Sequence, residues 1–323
     1  MRFRTELEIP PSPWKLDQTN PIIMMGSCFS TEMGDRLSQL GFDVLQNPFG
    51  VIYNPLSLTD HMLRVVEGKS KDTFGFKGGE HWYSWNCHSS FHADSMSHLE
   101  HQFATVDAEI EKYLERGATL FLTLGTSYVY RHLALDILVA NCHREPASTF
   151  KREWLSYPRI ADEISLLVSS LSKRYPAVRL VLTVSPVKHV RDGLVQNLRS
   201  KAQLLLAAAE LEKTGIAYFP AYELLTEDLR DYRFYAGDLA HPSEMAVDYI
   251  WDQLKMTYLS DSALALGKAY QSLWQEREHR PRLLDSAANL ERIEKWDKKR
   301  VQLLQRLRSN PLLNHLALRV AQW

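Results

Sequence analysis

Three side chains far apart in the chain have the types that a nucleophilic acyl transfer needs: Ser27, Asp238 and His241. A serine hydroxyl is a weak nucleophile until a base takes its proton, and that base needs an orienting partner. Asp238 stands three residues before His241, close enough to hold the imidazole from a shared loop. Ser27 lies in Met24-Met25-Gly26-Ser27-Cys28-Phe29-Ser30, between a short apolar run and a segment whose Met33, Leu37 and Leu40 recur at helical spacing. Gly26 takes a tight turn without Cβ strain. The free amides of the new helix, with its dipole, favour negative charge where a carbonyl would become an oxyanion. The plainer role for Ser27 or Ser30 is that of a helix N-cap.

The elements that must position these residues alternate in type. Continuous apolar runs near residues 22–25, 43–46, 119–124, 179–184 and 216–219 alternate with apolar-periodic segments, the signature of a parallel sheet covered on both faces. Helices are expected over 56–66, 99–116, 160–175, 198–214 and 243–259. Such sheets bind ligands beyond the carboxyl ends of their strands. Those ends carry Ser27, the loop from Pro48 to Asn54, Gly125-Thr126-Ser127, Ser185-Pro186 and Asp238-Leu239-Ala240-His241. Residues 68–98, rich in glycine, histidine and aromatic residues, read as an insertion with short strands, and 128–131 with 135–140 as a hairpin. From residue 261 the strands stop, and three charged helical segments follow, broken at Pro281 and at Asn310-Pro311.

With 323 residues the chain is long enough for one large domain and an extension. A net charge of -1 gives no basis for binding nucleic acid or an anionic membrane surface. The first fourteen residues have no apolar core of a signal peptide, and no run reaches the length of a membrane span. Three widely spaced cysteines suggest no disulfide framework, so the cytoplasm is the expected compartment.

The block Gly26-Ser27-Cys28-Phe29-Ser30 resembles the motif that names the GSCFA domain family, which belongs with the SGNH, or GDSL-like, hydrolases. Further blocks resemble that family in order. They are Asn47 to Pro55, Leu124-Gly125-Thr126, Val139 to His143, Ser185 to His189, Arg230 to Tyr235 and Asp238 to Ser243. The resemblance covers roughly residues 20–258 and implies a three-layer α/β/α sandwich with a flavodoxin-like, five-stranded parallel sheet. Residues 259–323 would then form a C-terminal helical extension.

By the same resemblance Ser27 takes the place of the nucleophile, His241 that of the base and Asp238 that of its carboxylate. The Ser27 amide and Gly50 fit two oxyanion donors. The family's third donor is an asparagine in a Gly-x-Asn block; here Gly125-Thr126-Ser127 stands instead, leaving Asn54, Asn141 and His189 as replacements. Asn141 and His143 are expected to line the pocket. The resemblance implies a serine esterase acting on an O-acyl ester of a carbohydrate or other small polar molecule, without a cofactor. A non-catalytic binding module on the same scaffold is the alternative.

Other residues read more plainly. Cys28 points away from Ser27 as the next helical residue, and fits a small buried thiol. The spacings His88/His92 and His98/His101 suit a metal, but no carboxylate or cysteine cluster completes a site. Trp82, Tyr83 and Trp85 can stack on a sugar or pack the insertion. Lys298-Lys299-Arg300 reads as a solvated helix face. The stripe Leu303, Leu307, Leu312 and Leu313 needs a partner surface, either the domain itself or a second copy of the chain. If Ser27, Asp238 and His241 share a site, a His241 ring nitrogen is expected about 2.6–3.2 Å from the Ser27 oxygen.

Overall fold

The computed structural model describes residues 4–68, 74–278 and 287–323. The start of the expected lead-in, residues 69–73 of the expected insertion and the break at Pro281 lie outside the described residues.

The chain opens with β1 (Ile22–Gly26), α1 (Cys28–Gln39), β2 (Val44–Gln46) and α2 (Pro55–Glu67). A small antiparallel sheet follows, β3 (Gly75–Gly78), β4 (His81–Ser84) and β5 (His92–Ala93), then α3 (Met96–Glu115) and β6 (Thr119–Leu124). A second antiparallel sheet holds β7 (Tyr128–His132), β8 (Ile137–Val139) and β9 (Phe150–Trp154). Next come α4 (Tyr157–Arg174), β10 (Arg179–Val184), α5 (Leu194–Glu212), β11 (Ala217–Phe219) and the short α6 (Ala221–Glu223). A π-helical turn over Leu224–Leu229 leads on towards α7 (Glu244–Tyr258). The C-terminal helices are α8 (Asp261–Glu278), α9 (Ala287–Arg308) and α10 (Asn314–Ala321).

The central sheet has the order β11-β10-β6-β1-β2, and every pairing is parallel. Counting only its five strands along the chain, this is 2-1-3-4-5, the flavodoxin-like order, which reverses between β1 and β6. Side-chain alternation shows why the strands read as unbroken apolar runs. Ile23 and Met25 of β1, with Leu120, Leu122 and Leu124 of β6 and Leu182 and Val184 of β10, enter one core with residues of α2, α3, α4 and α5. Ile22 and Met24, with Phe121, Val181 and Phe219, enter the opposite core with residues of α1 and α7. A sheet buried on both faces has no polar side to alternate with. The architecture is the three-layer α/β/α sandwich.

The expected hairpin is the pair β7–β8, but it gains β9 as a third strand along the far side of β7. β9 carries Lys151, Arg152 and Glu153, and only Phe150 of it is buried, so no apolar run marked it. The two antiparallel sheets meet in a small core of Trp85, Val139 and Phe150, with Trp85 stacked 3.9 Å from Phe76. Trp85 therefore packs the insertion.

The C-terminal helices bury Leu303, Leu307, Leu313 and Leu316 against Leu266, Tyr270 and Leu273. Leu312, expected in the same stripe, is exposed instead: it lies in a 3-10 turn, where helical spacing fails. This helical unit also touches the end of α1. A Cβ on Gly267 would come within 2.9 Å of Leu40, and one on Gly41 within 3.0 Å of Leu316. The buried Gln18 amide donates to the carbonyls of Leu40 (3.0 Å) and Ala263 (2.9 Å), tying both parts together.

Candidate active site

The turn from β1 into α1 depends on Gly26. Its φ is +136°, and a Cβ there would sit 2.1 Å from the Thr123 carbonyl oxygen of β6. Only glycine allows this approach. The Gly26 amide donates to Asn47 Oδ1 (2.8 Å), and its carbonyl accepts from the Ile52 amide (3.0 Å). The loops after β1 and β2 are thereby pinned to each other.

Ser27 follows as the N-cap of α1, its Oγ accepting from the Phe29 amide at 3.3 Å. The capping role is therefore real. The same hydroxyl donates to Ser185 Oγ at 2.9 Å, just beyond the end of β10. Ser27 is 0% exposed. Ser30 Oγ donates to Thr123 Oγ1 (2.6 Å) and so holds α1 to β6.

Asp238 and His241 form a built pair. The His241 Nδ1 and Asp238 Oδ2 are 2.6 Å apart, while Asp238 Oδ1 accepts from the amides of Ala240 and His241, each at 3.0 Å. These two amides, and then the ring, hold the carboxyl well below the usual carboxylate range. With Nδ1 committed to the carboxylate, the other ring nitrogen, Nε2, is left to act as a base. The His241 side chain is about half exposed.

The expected contact between Ser27 and His241 is not made. Among the described residues the Ser27 hydroxyl is bonded to Ser185 and Phe29, and the His241 ring to Asp238. The two nevertheless belong to one end of the sheet. The Lys188 amide donates to the Ala240 carbonyl (3.0 Å), joining the loop after β10 to the Asp238–His241 loop. The Cys28 thiol, pushed up by burial, also feels the charge of Asp238.

Several expected oxyanion and pocket residues are engaged otherwise. The Ser27 amide donates to the Thr123 carbonyl (3.3 Å), and the Gly50 amide to the Asn47 carbonyl (2.7 Å). Gly50, at φ +76°, also lies against His88, whose Cβ a side chain there would meet at 2.4 Å. Asn54 is the N-cap of α2: Oδ1 accepts from the Ser57 amide (2.8 Å) and Nδ2 donates to Ser57 Oγ (3.0 Å). Asn141 Oδ1 accepts from the His143 amide (2.8 Å), closing a turn after β8. His143 Nε2 meets the Ser84 carbonyl at 2.8 Å, and its ring lies edge-on to Phe76 and Trp85. Asn141 and His143 thus join the antiparallel sheets. His88 Nδ1 pairs with Ser90 Oγ and His92 Nδ1 with the Ser89 carbonyl. Among the described residues no group of three or more histidine, cysteine, aspartate or glutamate side chains is arranged to hold a metal ion.

Gly125 and Thr126 follow β6, and His189 follows β10 on the same loop as Ser185. The Gly125 and Thr126 amides donate to the Tyr53 carbonyl (2.8 and 3.1 Å), and Thr126 Oγ1 pairs with Ser200 Oγ (3.0 Å). His189 places its ring edge-on to Tyr53, centroids 5.2 Å apart.

Lys201 was not singled out from the sequence. It is wholly buried, and its ammonium donates to the carbonyls of Gly125 (2.7 Å) and Ser185 (2.8 Å). Lys201 thus clamps the ends of β6 and β10 beside Ser27. Burial lowers its pKa to about 7. Its signal in the sequence was the buried face of α5, where Asn197, Ser200, Lys201 and Leu204 fall at helical spacing: three polar groups where apolar ones belong.

The molecule is a doubly wound α/β domain whose switch point, between β1 and β6, carries a buried serine at a helix N-terminus. The model of the GSCFA family matches residues 21–254, and the chain belongs to that family. No curated protein matches it. Among the described residues no helix is long and apolar enough to cross a membrane.

Proposed function

We propose that this chain is an SGNH-type serine esterase that cleaves an O-acyl ester of a carbohydrate or other small polar molecule. The observation that carries the reading is the Asp238–His241 pair, set at the sheet end where Ser27 begins α1. Such a pair fixes one tautomer and supports the imidazolium that forms when the base takes a proton.

Ser27 turns away from Ser185 and attacks the ester carbonyl as His241 Nε2 takes its proton. The carbonyl π electrons move onto oxygen, and the tetrahedral intermediate collapses as the leaving alcohol takes that proton. Water, activated by His241, then cleaves the acyl-serine to release the acid and restore Ser27. Electrostatic support of the oxyanion is usually the largest single contribution in such sites. The N-terminus of α1, the positive end of its dipole, favours negative charge in this region.

A binding module without turnover is the second reading, favoured by the enclosed Ser27 hydroxyl and its bond to Ser185. Fluorophosphonate labelling of the purified chain separates the two. The esterase is labelled at Ser27 and loses the label in Ser27→Ala; the binding module takes no label. The exposed apolar side chains Leu290, Ile293, Leu312 and Leu318 on the C-terminal helical unit support association of two copies through it.

A further inference from the structure

The Nε2 atom of His189 is enclosed by protein and has no hydrogen-bond partner. A buried polar atom left unpaired is destabilising. Such atoms are rare in native proteins, and a catalytic role is one of the reasons they persist.

Its surroundings place it in the site. His189 stands on the loop leaving β10, four residues beyond Ser185, whose hydroxyl accepts from Ser27. Its own amide donates to Asn197 Oδ1 (2.8 Å), on the same buried face of α5 that carries Lys201. Its ring lies at 88° to Tyr53, whose carbonyl receives the amides of Gly125 and Thr126 at the end of β6. The backbone of His189 is therefore fixed by Asn197 and its ring packs on Tyr53, while Nε2 has no partner.

Other expected oxyanion donors are spent, and His143, whose Nδ1 is also unpaired, has its ring on the Ser84 carbonyl of the antiparallel insertion. The amides of Ser27 and Gly50 go to backbone carbonyls, and Asn54 caps α2 with both ends of its amide. Asn141 closes a turn on the antiparallel sheet, and the Thr126 hydroxyl is shared with Ser200. The Gly-x-Asn asparagine is replaced by Ser127, whose Oγ contacts Ser200 Oγ and accepts from Trp154 Nε1.

We propose that His189 is the oxyanion donor of this site, presenting Nε2–H to the oxygen that becomes negative when Ser27 attacks. This rests on the esterase reading above. As the Ser27 Oγ–carbon bond forms, the carbonyl π pair becomes the oxyanion lone pair that Nε2–H meets, while the Ser27 proton passes to His241. The His189 proton stays on Nε2 throughout. Ser27 Oγ and His189 Nε2 are each enclosed by protein, so an ester has to open the site to reach either. Burial first, then the charges of Lys201 and His241, lowers the His189 pKa to about 4, so the ring is neutral at neutral pH. A neutral imidazole can donate a hydrogen bond to a developing oxyanion without placing a second full charge in the site.

The test uses the full chain with p-nitrophenyl acetate and a fluorophosphonate, comparing wild type with Ser27→Ala, His189→Phe and His189→Gln. His189→Phe keeps the packing on Tyr53 and removes the donor. It should lower kcat and the labelling rate about 10²–10³-fold, with KM little changed. Its thermal midpoint should not fall, because an unpaired buried polar atom has gone. His189→Gln, whose amide can donate from a similar position, should recover about tenfold of that loss. Nitrogen-15 NMR of the wild type should find the Nε2–H tautomer.

Wild type labelled at Ser27, with His189→Phe within about threefold of it, overturns the proposal and leaves the esterase reading standing. An Nδ1–H tautomer overturns it independently of how the variants fold. No Ser27-dependent labelling of the wild type ends the esterase reading and the His189 role together.

Discussion

The Ser27 hydroxyl lies 2.9 Å from the Ser185 hydroxyl and spends its proton there, while His241, already seated on Asp238, waits without it. The serine rests on a neutral partner that cannot activate it. On the proposed esterase reading, the Ser27–Ser185 bond holds Ser27 out of the attacking geometry, and the following expectations turn on that arrangement.

Ser185→Ala removes the resting partner. A neutral hydrogen bond contributes about 1 kcal/mol, so fluorophosphonate labelling of Ser27 should speed up about fivefold. A clear fall in labelling rate at unchanged thermal midpoint would show that Ser185 assists the attack instead.

Ser27→Ala and His241→Ala should each lower turnover by several orders of magnitude with the fold intact. The double variant should lose little more, because the two act as a unit. Asp238→Asn should cost less than either, since the carboxylate orients the ring and supports its charge. Additive losses in the double variant would argue that the residues serve different steps.

Gly26→Ala forces a Cβ to within 2.1 Å of the Thr123 carbonyl at a φ of +136°. Neither neighbour is a flexible side chain, so β1 and β6 must part. We expect a loss of about 4 kcal/mol or more, read as a large drop in the denaturant midpoint. Ser30→Ala, losing one hydroxyl pair to Thr123, should cost far less.

Lys201 sets a pH dependence of stability. Its folded pKa, about 7, lies below that of an unfolded lysine near 10.4. Between these values the unfolded chain binds the proton and the folded chain does not, so stability rises with pH across that window. The slope contributed is at most about 1.4 kcal/mol per pH unit. Below pH 7 both states are protonated and the slope vanishes. Lys201→Met should flatten the rise of thermal midpoint between pH 7.5 and about 9.5 relative to wild type. An identical rise in both proteins would place the titration elsewhere.

The central sheet was legible because its inner strands β1 and β6 are buried on both faces, so Ile22 through Met25 and Leu120 through Leu122 read as runs without polar gaps. The helices that pack on it were equally plain, each showing a single apolar stripe. β9 was hidden because its residues Lys151 to Trp154 meet solvent, and strand identity there comes only from pairing with β7. In the site, Asp238 and His241 were marked by their spacing and by the family block that contains them, since a three-residue loop is a local relation. The Ser27–Ser185 bond is long-range, set by the meeting of β1 and β10 across β6, and no local pattern encodes it. Gly50 and Asn54 were placed beside the site by their block, while the uses of their polar groups depend on the turn at Asn47 and the cap at Ser57. Lys201 was obscured because the alanines and leucines of α5 outweigh the three polar residues on its buried face.

The pairing of β1 also bears on how the chain is made. Ile22 pairs with Val44 on one side and with Thr119 on the other. As the polypeptide leaves the ribosome, β1 has its β2 neighbour early and must wait for the whole antiparallel insertion and α3 before β6 arrives. Until then one edge of β1 is open, with Gly26 lacking the carbonyl that defines its conformation. Closing such distant contacts is slow, and the open edge is the aggregation-exposed stage of synthesis. The Trp85 core of the insertion is completed later still, because Val139 and Phe150 follow β6 in the chain. The serine turn is thus among the first parts of the domain to be synthesised and one of the last to take its final shape.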